Sequence, residues 1–252
     1  MHDSLDSRAL RFTDCFGQRF TEPGTYAYHA LPVGSTLLDD ERPFTVVVKA
    51  RSGDTDTDAN QSTVLLPWNG RRFVPDEPEV AIESGDLVMW HSPTNGAPPF
   101  AIVGNGFGSS PLAGESVYTH AFGSPGTYEW VDTQGSDLAG VVRVTDPRCR
   151  DDAELARWRK RLNGGTVVVI DGGKAEPAEA EVTVGQTVFF AVAGGSRVTV
   201  TDRHLAAVEV GCYPGGDGPV SDDGQAARPN RKARRTAGKA SKAAKAAKSK
   251  GR

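Results

Sequence analysis

Cysteine is scarce in this 252-residue chain: Cys15, Cys149 and Cys212 are the only three. That is too few for a disulfide scaffold, and an odd count leaves one thiol over if a bridge forms. Reduced thiols are the expectation. Long apolar runs are missing, so no segment has the length of a membrane-spanning helix. Residues 1–10 carry charge and lack a leader-length apolar stretch, so a cytoplasmic location is expected. Also missing are the metalloprotease HExxH, CxxC, phosphate-loop and nucleophile-elbow patterns. The glycine-rich residues 104–108 follow a strand pattern and open no helix, which makes them a loop and not a phosphate cradle. No hydrolase triad can be assembled, and the chain reads as a non-enzyme.

Helical periodicity is nearly absent as well. The one clear helix lies at residues 151–162: Asp151 caps it, Glu154 takes the capping-box place, Leu155, Trp158 and Leu162 form an apolar stripe, and Gly164-Gly165 ends it. Elsewhere 29 glycines and 16 prolines punctuate short alternating segments, the pattern of an all-β chain.

What is present is a repeat. Residues 14–28 read DCFGQRFTEPGTYAY and residues 116–130 read SPGTYEW after SVYTHAFG, so each runs an aromatic strand into Pro-Gly-Thr-Tyr-x-aromatic. Residues 77–104 and 176–202 share a second order: a strand, a glycine turn (Ser84-Gly85-Asp86 or Gly185-Gln186), a strand, then a third strand. Leading strands at 62–66 and 166–170 precede them.

The run Val-x-Ile-x-x-Gly-Asp-x-Val-x-Trp, then Pro-Gly-Thr-Tyr-x-aromatic, then Leu138-Ala139-Gly140-Val141-Val142-x-Val144 resembles the cupredoxin family, which includes plastocyanins, azurins and halocyanins. The resemblance implies Greek-key β-sandwiches. It covers residues 62–147 continuously, as one domain. Residues 9–50 match only the later half of a cupredoxin and residues 165–215 only the earlier half. The expectation is that these two ends complete a second, split domain around the first. Residues 151–162 then connect the two domains, and residues 216–252 form a flexible tail.

The resemblance also says where a type-1 copper site would lie. Such a site needs two imidazoles, a thiolate and a weak axial ligand. The first His place holds Phe100, the Cys place falls at Asp132, residues 133–135 offer no second His, and the axial place holds Leu138. No cofactor is therefore expected. In the split domain the Cys place holds Ala30, one residue after His29. His29, His204 and Cys212 make an improvised copper set as the alternative, an electron-transfer protein with displaced ligands. His91 and His120 are read as strand residues facing solvent.

Charge is unevenly spread. Residues 228–252 hold 11 of the 29 basic residues and no acid, which leaves 29 − 11 = 18 basic against 32 acidic residues in the body, a net of −14. The tail cations Arg228, Arg231, Lys232, Arg234, Arg235, Lys239, Lys242, Lys245, Lys248, Lys250 and Arg252 suit sequence-independent contact with a polyanion, nucleic acid above all. The expected function is binding or structural, through an unidentified protein partner, with the nucleic-acid-associated reading of the tail as a further alternative.

Overall fold

Alternation between turn residues produces strands throughout the described residues. The structure, a computed structural model, describes residues 4–35, 42–51, 59–195 and 197–210. In chain order the strands are β1 (Cys15–Arg19), β2 (Gly24–Pro32), β3 (Phe44–Lys49), β4 (Gln61–Leu65), β5 (Glu79–Glu83), β6 (Leu87–His91), β7 (Phe100–Gly104), β8 (Ser116–Ala121), β9 (Gly126–Val131) and β10 (Ala139–Thr145). Helix α1 (Asp152–Leu162) follows, then β11 (Gly165–Asp171), β12 (Lys174–Glu176), β13 (Glu179–Thr183), β14 (Thr187–Val192) and β15 (Thr201–Asp202). The described residues are mostly β, with one α-helix. No helix among the described residues is long and apolar enough to cross a membrane.

The strands form a seven-stranded sheet, β12-β11-β14-β8-β1-β6-β4, and two four-stranded sheets, β13-β10-β9-β15 and β5-β3-β2-β7. The two small sheets have the same order once β2 is matched to β9, β3 to β10, β5 to β13 and β7 to β15. Even the parallel pairs correspond: β3 with β5, and β10 with β13. The large sheet reads the same from either end, with β4-β6-β1 answering β11-β14-β8. Two equivalent halves therefore lie in tandem, β1–β7 and β8–β15. Both belong to one compact unit.

This pairing corrects the expected chain path. Strand β3 pairs with β2 and β5, and β2 with β7, all from the first 104 residues. No ladder joins residues 9–50 to the described part of 165–215. Strands β8 to β10, expected to close on residues 62–104, pair instead with β13, β14 and β15; β8's only first-half partner is β1. The physical reason is closure: each half is the later part of the repeat followed by its earlier part, and the short connections at residues 50–60 and 146–164 join them with little entropy loss. Either circular order buries the same inner faces, so alternation alone does not distinguish them.

The halves meet strand to strand. In the β1–β8 ladder Cys15 faces Thr119, Phe16 faces Tyr118, Gly17 faces Val117 and Gln18 faces Ser116. Phe16 and Tyr118 are repeat equivalents, 118 − 16 = 102 positions apart, and so are Gln18 and His120, and Asp14 and Ser116. The ladder is thus centred on a pseudo-two-fold axis through the Phe16–Tyr118 pair, as at an isologous interface.

Each half packs aromatics between its sheets. Phe16, Phe20, Tyr28, Trp90 and Phe107 fill the first; Phe122, Trp130 and Phe190, with Tyr118, fill the second. The shared Pro-Gly-Thr-Tyr motif has a local cause. The Tyr26 hydroxyl donates to the Glu22 carbonyl at 2.9 Å and the Tyr128 hydroxyl to the Ser124 carbonyl at 3.0 Å, each four residues back. The ring folds over the glycine of its own motif: a Cβ at Gly126 would sit 3.3 Å from the Tyr128 ring.

Candidate functional site

Of the places that the cupredoxin resemblance assigns to copper ligands, Asp132 and Leu138 lie together, the Asp132 N–H donating to the Leu138 carbonyl at 2.9 Å, while Phe100 lies in the other half. Phe100 opens β7 in the first half, fully buried, with its backbone paired to Leu10 and its ring 4.7 Å from that of Phe73. Asp132 follows β9 and Leu138 precedes β10, both in the second half. His29 lies half-buried on β2, opposite Val103. His204 sits in a single 3-10 turn after β15, its side chain 91 % exposed and its Nδ1 3.0 Å from Asp202 Oδ1. Cys212 lies outside the described residues. Among those described, no three His, Cys, Asp or Glu side chains group as a metal would require.

Asp132 has a different role from a ligand. Its Oδ1 accepts the Thr199 N–H at 2.7 Å, the Thr199 hydroxyl at 3.1 Å and the Gln134 N–H at 3.1 Å. Its Oδ2 accepts the Ser136 hydroxyl at 2.7 Å and the Ser136 N–H at 3.2 Å. Burial raises the carboxyl pKa, but the Ser136, Thr199 and Gln134 donors outweigh it and hold the group below its ordinary value. The carboxylate organises the whole 132–138 loop, and donors from its own chain occupy both oxygens.

The seam between the halves holds fully buried polar groups. Asp14, Tyr118 and His120 are all fully buried. Asp14 Oδ1 lies 2.6 Å from His120 Nδ1 and accepts the Tyr118 hydroxyl at 3.3 Å, while Oδ2 accepts the Arg11 N–H at 2.8 Å. His120 was expected to face solvent. It shares its face with Tyr118 and Phe122, two residues to either side, and alternation carries all three inward. The pseudo-two-fold places Gln18 and Ser116 at the equivalent positions, where the Ser116 hydroxyl donates to Gln18 Oε1 at 2.7 Å. Beside this network the buried Arg8–Asp6 pair reaches the second half: Arg8 donates to the carbonyls of Leu205 and Val208, both at 3.0 Å. Full burial leaves the seam without access for a substrate.

Helix α1 provides the most chemically distinctive surface. The Asp151 side chain accepts the Glu154 N–H at 2.7 Å, the expected cap, and Glu154 in turn accepts the Arg150 N–H at 2.8 Å. Trp158 and Leu162 pack on Gly185 of the β13–β14 turn, and the indole N–H donates to the Val184 carbonyl at 2.9 Å. The helix thereby covers the end of the second half. Behind it, Pro147, Arg148, Glu154, Arg157, Trp158 and Arg161 line a cavity of about 320 Å³. Sequence reading identified the stripe and the cap but not this pocket; the available signal was six cations in residues 148–161, one third of the 18 in an otherwise acidic body.

The tail cations Arg228 to Arg252 lie outside the described residues. No family model, curated protein or solved structure matches this chain.

Proposed function

We propose that this chain is a non-catalytic binding or structural protein built on two cupredoxin-like halves that carry no type-1 copper site. Asp132 is the observation that carries the reading: at the place the resemblance gives to the thiolate stands a carboxylate whose oxygens take five hydrogen bonds from Thr199, Gln134 and Ser136. The other places the resemblance gives to ligands hold apolar side chains: Leu138, which is buried, and Phe100, which lies in the other half. Type-1 copper chemistry rests on a thiolate held with two imidazoles, and no such set is grouped among the described residues. Cys15, on the seam strand, has its thiol pushed up by burial, which disfavours the thiolate form. The scaffold then acts through its surface.

Titrating the full chain with Cu(II) while recording the visible spectrum tests this. The expected outcome is no intense thiolate-to-copper band. A strong band that disappears in Cys15→Ser or Cys212→Ser would overturn the reading in favour of a copper carrier with displaced ligands.

A further inference from the structure

We infer that the cavity beside α1 is a binding site for a phosphate monoester. The inference stands apart from the copper question, because the site lies on the helix and not at the ligand places.

The chemistry is specific. Three arginines, Arg148, Arg157 and Arg161, line one cavity together with a single carboxylate residue, Glu154. Their sum, three positive minus one negative, is +2, and a phosphate monoester carries about −1.5 to −2 near neutrality. Guanidinium forks match carboxylate and phosphate oxygens alike in pairs of parallel bonds, but Glu154 has two oxygens for three arginines, and a phosphate monoester brings three more acceptor oxygens. The volume of about 320 Å³ falls at the small end of the range for small-molecule sites. Among the described residues, neither Arg148 nor Arg161 has an ion-pair partner, and Arg157 reaches Glu154 only at 3.9 Å.

The simplest structural reason for basic residues on a helix is its own dipole, which favours cations in the last turn. That accounts for Arg159, Lys160 and Arg161. It does not account for Arg148, which precedes the helix, or for Arg157 in its middle. Arg148 has a backbone φ of +45°, in the left-handed region that residues with a Cβ rarely adopt. That conformation sits in the segment that turns from β10 into α1, next to the cavity. Trp158 supplies an indole wall whose edge is fixed by its bond to Val184. The surrounding body is net acidic, so the cavity is a local reversal of sign that would draw anions from solution.

Tryptophan fluorescence of the full chain at low salt is the test, with inorganic phosphate, phosphoserine and adenosine monophosphate as probes. The tail contains no aromatic residue, and Trp158→Phe should abolish the signal, so binding at the tail does not mimic it. All three probes should perturb the emission. Equal affinities would assign recognition to phosphate alone, and tighter binding of the nucleotide would add the indole as a stacking wall. Arg157→Gln with Arg161→Gln should weaken binding about tenfold per guanidinium removed. Glu154→Gln, which keeps all three cations, should tighten it. No response to any probe, unchanged affinity in the double variant, or equal affinity for a glutamate-rich peptide would overturn the assignment.

Discussion

The two halves solve one structural problem with different chemistry. At the turn between β5 and β6, the Arg51 side chain donates from Nε to the Ser84 carbonyl at 2.9 Å and pairs with the Asp86 carboxylate. At the equivalent turn between β13 and β14, the Trp158 indole donates to the Val184 carbonyl at 2.9 Å. Asp86 Oδ2 accepts the Glu83 N–H at 3.0 Å, and in the other half Gln186 Oε1 accepts the Thr183 N–H at 3.1 Å. One turn is fastened by a charged pair, the other by neutral amides and an aromatic ring. The same division runs through the seam, with Asp14–His120 on one side of the axis and Gln18–Ser116 on the other. A repeat thus preserves the geometry of a hydrogen bond while its charge drifts, provided that donor and acceptor change together.

Breaking the seam should give the largest effect. Asp14→Ala removes the acceptor of Arg11, Tyr118 and His120 in a fully buried site, and a loss of about 3–5 kcal/mol is expected in denaturant unfolding. Its mirror, Ser116→Ala, removes a neutral hydroxyl and should cost about 1–2 kcal/mol. Equal losses would mean that the two sides of the axis are energetically alike, and the contrast would fail.

The cores sharpen the comparison next. In β2–β3, Tyr28 faces Phe44; in β9–β10, Trp130 faces Gly140. A large ring opposite a ring has become a larger ring opposite no side chain. A Cβ at Gly140 would lie 2.7 Å from the indole of Trp130, which is itself buried. Gly140→Ala should therefore destabilise by about 1–3 kcal/mol through overpacking. A neutral result in thermal melts would show that the indole has room to shift.

The smallest effect concerns pH. Burial raises the Asp86 pKa, but the amides of Glu83 and Asn60 and the Arg51 guanidinium outweigh it, so its folded value lies below the ordinary one. A depressed carboxyl stabilises the fold above its unfolded pKa of about 3.9 and loses that contribution as pH falls through the folded value. Gln186 does not titrate. The Gly85 amide, bonded to the Phe20 carbonyl, should lose exchange protection on acidification sooner than the Gly185 amide, bonded to the Phe122 carbonyl. Parallel loss at both turns would remove Asp86 as the cause.

Much of the first level of organisation was readable from the residues. The Pro-Gly-Thr-Tyr motif located β2 and β9, and Asp151 located the start of α1 to within a residue. The all-β class followed from alternation. The pairing of strands did not, because Val46 and Val48 present the same apolar face to either partner, β5 or the equivalent β13. Asp132 was legible as a missing thiolate but not as a hub: Thr199 lies 67 residues away, and nothing in the sequence announces that their bond forms. His120 was misplaced because its burial depends on Asp14, 106 residues distant, satisfying it. The cavity beside α1 needed Arg148 and Arg161 to be brought to one side of the helix, which spacing alone does not determine.

The ladder between β1 and β8 has a consequence for the open edges of the large sheet. A half on its own would end its three- or four-strand sheet at β1 or β8, with a row of open N–H and C=O groups. Exposed edges of that kind recruit strands from other molecules. Joining the halves there spends both edges on each other and, among the described strands, leaves β4 and the three-residue β12 at the rims of the large sheet. Cutting the chain between the halves would restore both edges, and the separated pieces should seek each other, or copies of themselves, along that same line.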